Sequence, residues 1–163
     1  AIIDHGKLMQ FGDPLGIFND PDNRFVANFV GSPKMNLLDG ELIRENGNLN
    51  IQLEDGNSIS MSGKIAKDFE SDGATKKGSL GGRPHQLYFG KKRSNQDIQL
   101  KGVVELMEKI GPKRMAHIKF GSSIFVGVDE QDMLNVNDEV DFCLPSDNCY
   151  AFNFENGLRL GTR

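Results

Sequence analysis

The sequence has no tryptophan, two cysteines and two tyrosines among its 163 residues. Two thiols, Cys143 and Cys149, are too few for a disulfide scaffold, and a zinc site wants four ligands at characteristic spacings. They read as small strand residues with reduced thiols. His5, His85 and His117 stand far apart, with no spacing that suits a shared metal. No apolar run approaches the roughly 20 residues needed to cross a bilayer. The opening Ala1-Ile2-Ile3-Asp4-His5 lacks the basic region and long apolar stretch of a signal peptide. A basic excess is missing as well. The net charge is -4, and the one basic cluster, Lys91-Lys92-Arg93, has no interleaved aromatics. Both facts argue against a nucleic-acid groove.

Catalytic patterns are equally scarce. Gly73-Ala74-Thr75-Lys76-Lys77-Gly78-Ser79 is the nearest approach to a phosphate loop. A Walker loop needs its lysine directly after the last glycine, so that the ammonium reaches the phosphates from a helix start. Here the lysines precede Gly78, no apolar strand runs into Gly73, and no helix signal follows Ser79. Acidic pairs such as Asp129/Glu130 and Asp138/Glu139 fall at turns or strand starts, where solvated charge belongs.

What is abundant is glycine, with 19 residues, and phenylalanine, with 11. Many glycines break a chain into short elements, and phenylalanine with β-branched residues fills strands, so the fold class is mainly β. Ile2-Ile3 and Leu8-Met9 flank Asp4-His5-Gly6-Lys7 as a hairpin. The chain opens inside this apolar run, which suggests a cut through a larger fold. Asp13-Pro14 and Asp20-Pro21 are helix starts, the second leading into a stripe of Phe25, Val26, Phe29 and Val30 that stops at Gly31-Ser32-Pro33.

From Met35 the period becomes two. Strands are expected at 35–44, 49–53 and 58–61, divided by Asn46-Gly47 and Asp55-Gly56 turns. A short helix at 65–69 and a polar loop at 70–78 follow. A second set of strands is expected at 79–83, 98–110, 115–120, 123–128, 138–144 and 149–154, with a polar loop at 90–97. Two small antiparallel sets with regular turns make an OB-like β-barrel. The absence of βαβ alternation excludes Rossmann and TIM architectures.

Several segments together resemble one family. Arg24-Phe25-Val26-Ala27-Asn28-Phe29-Val30-Gly31-Ser32-Pro33-Lys34-Met35-Asn36 is similar to the helix and crossover of maltose-type ABC importer ATPases. Asp4 to Pro14 looks like that family's "G-x-h-x-Q-x-G-x-P" hairpin (h apolar). Leu80-Gly81-Gly82-Arg83-Pro84-His85 resembles its "L-G-I-R-P-E", departing at Gly82 and His85. Gly102 to Gly111 and Cys149-Tyr150-Ala151-Phe152 resemble its second barrel half and closing strand.

The resemblance implies a transport-associated OB (TOBE) domain at residues 34–163. Residues 1–33 would then be the end of the ATPase domain with its linker helices. It implies a regulatory and dimerisation role in a carbohydrate-type importer, without catalysis in this chain, since ATP and Mg belong to the rest of the parent subunit. It marks Gly31, Pro33 and Asn36 as the interdomain crossover and Arg83 and Pro84 as the barrel motif. Gly111 and Phe152 are candidate contacts for a second copy or a regulator. The implied partners are transporter membrane subunits, a regulatory protein, and a homodimer or strand-exchanged oligomer. The implied location is cytoplasmic, peripheral to the inner membrane. Two rival readings are a barrel that senses small solutes or oxyanions, and an OB-type single-strand binder.

Overall fold

The computed structural model describes residues 1–45, 47–63, 65–66 and 76–161. Strands β1 (Ile2–Asp4) and β2 (Lys7–Gln10) form the expected hairpin, turning at His5 and Gly6. Helix α1 (Pro14–Asn19) starts where Asp13 caps it, its carboxylate accepting from the Gly16 amide at 2.8 Å. Helix α2 (Arg24–Phe29) begins later than Asp20-Pro21 suggests. Asn23 takes the cap instead, its side-chain oxygen accepting from the Val26 amide at 2.9 Å. An Asn three residues ahead of an amide is as good a cap as Asp, and here it also donates to the Met9 carbonyl. Gly31 follows with φ 121, a conformation that side chains resist.

The body is two antiparallel sheets. One has six strands: β3 (Asn36–Glu45), β4 (Asn48–Gln52), β5 (Ser58–Met61), β6 (Lys76–Gly82), β12 (Cys149–Asn153) and β13 (Arg159–Leu160). Their order is β13-β12-β6-β3-β4-β5. The other holds β7 (Tyr88–Phe89), β8 (Ile98–Ile110), β9 (Lys113–Phe120), β10 (Ser123–Val128) and β11 (Glu139–Leu144), in the order β10-β9-β8-β11-β7. The sheet curls as an OB-like half-barrel, as the strand pattern implied.

Differences from the sequence expectation are local. Lys76–Gly78 is strand and not loop, because β3 recruits it by pairing Gly40 with Gly78 and Leu42 with Lys76. Arg83 lies beyond the strand end. Only Ile65 and Ala66 of the expected 65–69 helix are described, and they are helical; the rest of it, and residues 70–75 of the expected loop, lie outside the described residues.

Alternation sends Leu42, Leu49, Ile51, Met61, Leu80 and Ile118 into one core, where Phe125 and Phe142 meet at 5.2 Å. Each such side chain is worth about 1.5–3 kcal/mol when fully buried. A smaller cluster of Ala27, Met35 and Phe152 joins α2 to the first sheet. The close approach there explains Gly81, where a Cβ would stand 2.6 Å from the Met35 sulfur. In β8, the alternation ends at a bulge near Glu105, and the last residues of the strand run outward as an exposed arm with β9.

Candidate interdomain site

Arg83 is the centre of the junction. It is 1% exposed, and its guanidinium donates to the carbonyls of Ala27 (2.8 Å), Val30 (2.6 Å) and Phe18 (2.8 Å). These are carbonyls at the C-terminal ends of α2 and α1, which have no partner within their helices and which a cation suits. The same guanidinium lies 4.3 Å over the Phe18 ring. Burial lowers its pKa, opposed by nearby Tyr150. Because arginine's charge is so persistent, the result is a buried cation stabilised by carbonyl dipoles and an aromatic face.

The neighbouring residues fit round this cation. A Cβ on Gly31 would stand 3.1 Å from both the Arg83 Nη1 and the Phe18 ring, so space and φ both require glycine. The Ser32–Pro33 peptide is cis and turns the chain toward β3. Pro84 follows Arg83 directly and, with no N–H to offer a sheet, marks the end of the β6 run. His85 stacks on Phe18 at 5.6 Å. Burial, then Arg83 and Lys113, lower its pKa, which favours the neutral ring. At Gly82, where the family motif has isoleucine, Leu144 fills the space, 3.0 Å from where a Cβ would stand.

Asn36 does a different job. Its side-chain amide donates to the Val126 carbonyl at 2.9 Å and accepts from the Val126 amide at 2.7 Å. It thus imitates a strand backbone and closes the gap between β3 and β10, the edge of the second sheet. Of the two candidate contact residues, Gly111 sits at the open tip of the β8–β9 arm, with φ 58 and nothing within 4 Å of a Cβ. Phe152 is fully buried against Ala27 and Met35. Its reading as a surface contact is corrected: it is a core residue, because β12 is an inner strand of its sheet.

Polar hooks that the sequence reading did not single out complete the junction. The Arg24 amide donates to the Gly157 carbonyl at 2.7 Å and the Arg159 amide to the Asp22 carbonyl at 3.0 Å. The Arg159 guanidinium pairs with Asp20, and the Tyr150 hydroxyl donates to the Asn19 carbonyl. Arg24 grips Asp39 with bonds of 2.9 and 3.0 Å. These partners are far apart in sequence, so only the Asn23 cap left a local signal. Among the described residues no cluster of metal-ligating side chains occurs, and no helix is long and apolar enough to cross a membrane.

The fold places the chain in a class, the OB-type β-domains. A solved structure of the cytoplasmic molybdate-binding protein ModG, with molybdate bound, matches it at TM-score 0.54 and 13% identity. That match covers 71% of this chain and 94% of ModG. No family model matches the chain. Curated relatives are more specific. The xylose/arabinose import ATP-binding protein XacK of Haloferax volcanii is 30% identical over 100% of this chain and 42% of its own length. The maltose/maltodextrin import ATP-binding protein MalK of Vibrio cholerae is 30% identical over 94% of this chain and 40% of its own length. The trehalose/maltose import ATP-binding protein MalK of Thermococcus litoralis is 30% identical over 78% and 34%. The chain is a homologue of the ATP-binding proteins of sugar ABC importers, and its OB-like fold is consistent with a transport-associated OB domain. It spans about two fifths of the length of the relatives it matches.

Proposed function

We propose that this chain is the regulatory and dimerisation domain of the ATP-binding subunit of a carbohydrate-type importer, and that it has no catalysis of its own. Residues 1–33 are the end of the ATPase domain with its linker helices and face the rest of that domain, where ATP and Mg act, and residues 34–163 form the regulatory barrel. The parent subunit works at the cytoplasmic side of the inner membrane with the membrane subunits, and its barrel offers docking to a regulatory protein.

One observation carries this reading. Ile3, Leu8, Phe11, Leu15 and Phe29 are between 62% and 79% exposed, yet the segment that bears them is locked to the barrel by a buried arginine. An apolar face held so firmly is built to be covered. Taken alone, the same face drives self-association. Sedimentation of the chain over a range of concentrations should therefore show a dimer or larger species, and a clean monomer at high concentration overturns that part. Calorimetric titration with Mg-ATP should give no saturable heat. Micromolar binding would sink the assignment of nucleotide chemistry to the rest of the subunit.

A further inference from the structure

Beside the junction, the six-stranded sheet carries a polar row that the regulatory reading does not use. Glu41 of β3 stands opposite Gln52 of β4 on one side and Lys77 of β6 on the other. The Phe154 amide donates to the Lys77 carbonyl at 3.0 Å, which continues the row. Directly opposed residues share a sheet face. Leu42 and Ile51, one residue along, point into the core, so Glu41 and Gln52 point out. An amide, a carboxylate, an ammonium and an aromatic ring thus stand side by side on four neighbouring segments.

The row lines a cleft of about 930 Å³, which the β9–β10 turn borders with Phe120, Gly121 and two serines. Ligand pockets span roughly 300–1,000 Å³, so the volume suits a small molecule. Glu41, Gln52 and Lys77 have no side-chain hydrogen bond or ion pair among the described residues. Phe154, in contrast, is held: the Arg24 guanidinium packs 5.1 Å from its ring centre, and Arg24 is itself fixed by Asp39. A fixed ring beside free donors and acceptors is an arrangement in search of a ligand.

We infer that this cleft binds a neutral polyhydroxylated ring, a sugar. Hydroxyls of such a ring donate to Glu41 and accept from Lys77, while Gln52 does both. Its C–H face packs on Phe154. An oxyanion fits poorly, because Asp39, Glu41, Glu54 and Asp55 all line the cleft against Lys77. This inference is independent of the self-association argued above, so either can fail alone.

Saturation-transfer NMR and calorimetry on the full chain test it, with xylose, glucose and maltose as probes and with spermidine, molybdate and phosphate titrated separately. Saturable binding of at least one sugar, insensitive to added salt, is expected. Glu41→Gln and Gln52→Ala, both on the exposed sheet face, should each weaken it about tenfold with an unchanged unfolding midpoint. Four outcomes overturn the inference: no saturable sugar binding, sugar binding indifferent to both substitutions, binding of spermidine alone, or binding of molybdate or phosphate alone.

Discussion

Ile3, Leu8, Phe11, Leu15 and Phe29, all before residue 30, keep most of their apolar surface in solvent, while the sheets hold Phe125, Phe142 and Phe152 inside. The two regions are stabilised by different means. The sheets are built from long register-matched pairs over an apolar core, whereas the N-terminal segment joins them through one small apolar cluster and through polar hooks such as Arg83, Arg24 and Arg159. A segment that turns only Ile17, Val26 and Ala27 inward and leaves the rest of its apolar surface outside needs such hooks to stay in place, since burial supplies most of the driving force elsewhere. The barrel's own exposed apolar residues, such as Met133, Leu106 and Ile110, lie on a loop and on the β8–β9 arm, whereas the N-terminal ones sit on a segment anchored from behind by its junction.

The sharpest break of this contrast is a matched pair of truncations. Phe152→Ala empties a fully buried site next to Met35 and should cost about 3–5 kcal/mol. Phe29→Ala removes a ring stacked only on Phe25 at 5.6 Å and should change stability by about 0.5 kcal/mol or less. Urea unfolding monitored by circular dichroism, at concentrations below the onset of self-association, reads both. Equal losses there would mean that Phe29 is buried within the single chain.

A smaller effect separates the hooks from the core. Arg83→Met keeps much of the apolar stem but strips three carbonyls of their donor. The expected loss is about 2–3 kcal/mol. The change should be regional. Amide exchange should rise across residues 14–31 while the β8 and β9 amides stay protected. Uniform loss of protection would show that the segment and the sheets unfold as one unit.

These two regions were not equally legible in the sequence. Period-two alternation with Asn-Gly and Asp-Gly turns is a local signal, and β5, β8 and β10 fall where the sequence alone puts them. Residues recruited by a distant partner left no such mark. Lys76–Gly78 joins β6 because β3, and at Gly78 also β12, pairs with it, and β7 is two residues held by β11. The junction was legible as a motif, since Gly31, Pro33, Asn36 and Arg83 matched a family pattern. Its chemistry was not, because the partners of Arg83 lie 53 to 65 residues away. The Gln52-Glu41-Lys77 row was invisible for the same reason: register, which no local pattern fixes, brings it together.

A smaller loss than that of the arginine hook concerns a polar anchor within the body itself. Asp97 is 8% exposed, and its carboxylate accepts from the Tyr88 hydroxyl and from the Ser94 and Arg93 amides, at 2.9 and 3.1 Å for the two amides. Burial alone would raise its pKa, but these hydrogen bonds and nearby Lys92 outweigh it and hold the carboxyl below its ordinary value. A carboxyl lowered in the folded state adds stability above its unfolded pKa, and that contribution is lost as pH falls through the folded value. Tyr88 is the converse. Burial, then its bond to Asp97, push the hydroxyl up to about 12, so its contribution is complete below the ordinary tyrosine value and fades as pH climbs toward 12. Asp97→Asn should therefore cost about 1 kcal/mol at neutral pH and flatten the loss of stability below about pH 4. It should also lower the Tyr88 titration midpoint seen by ultraviolet absorbance. Because this anchor organises the loop between β7 and β8, amide exchange in α1 and α2 should not move. If it does, the polar hooks of the two regions are coupled through the sheets and are not independent of them.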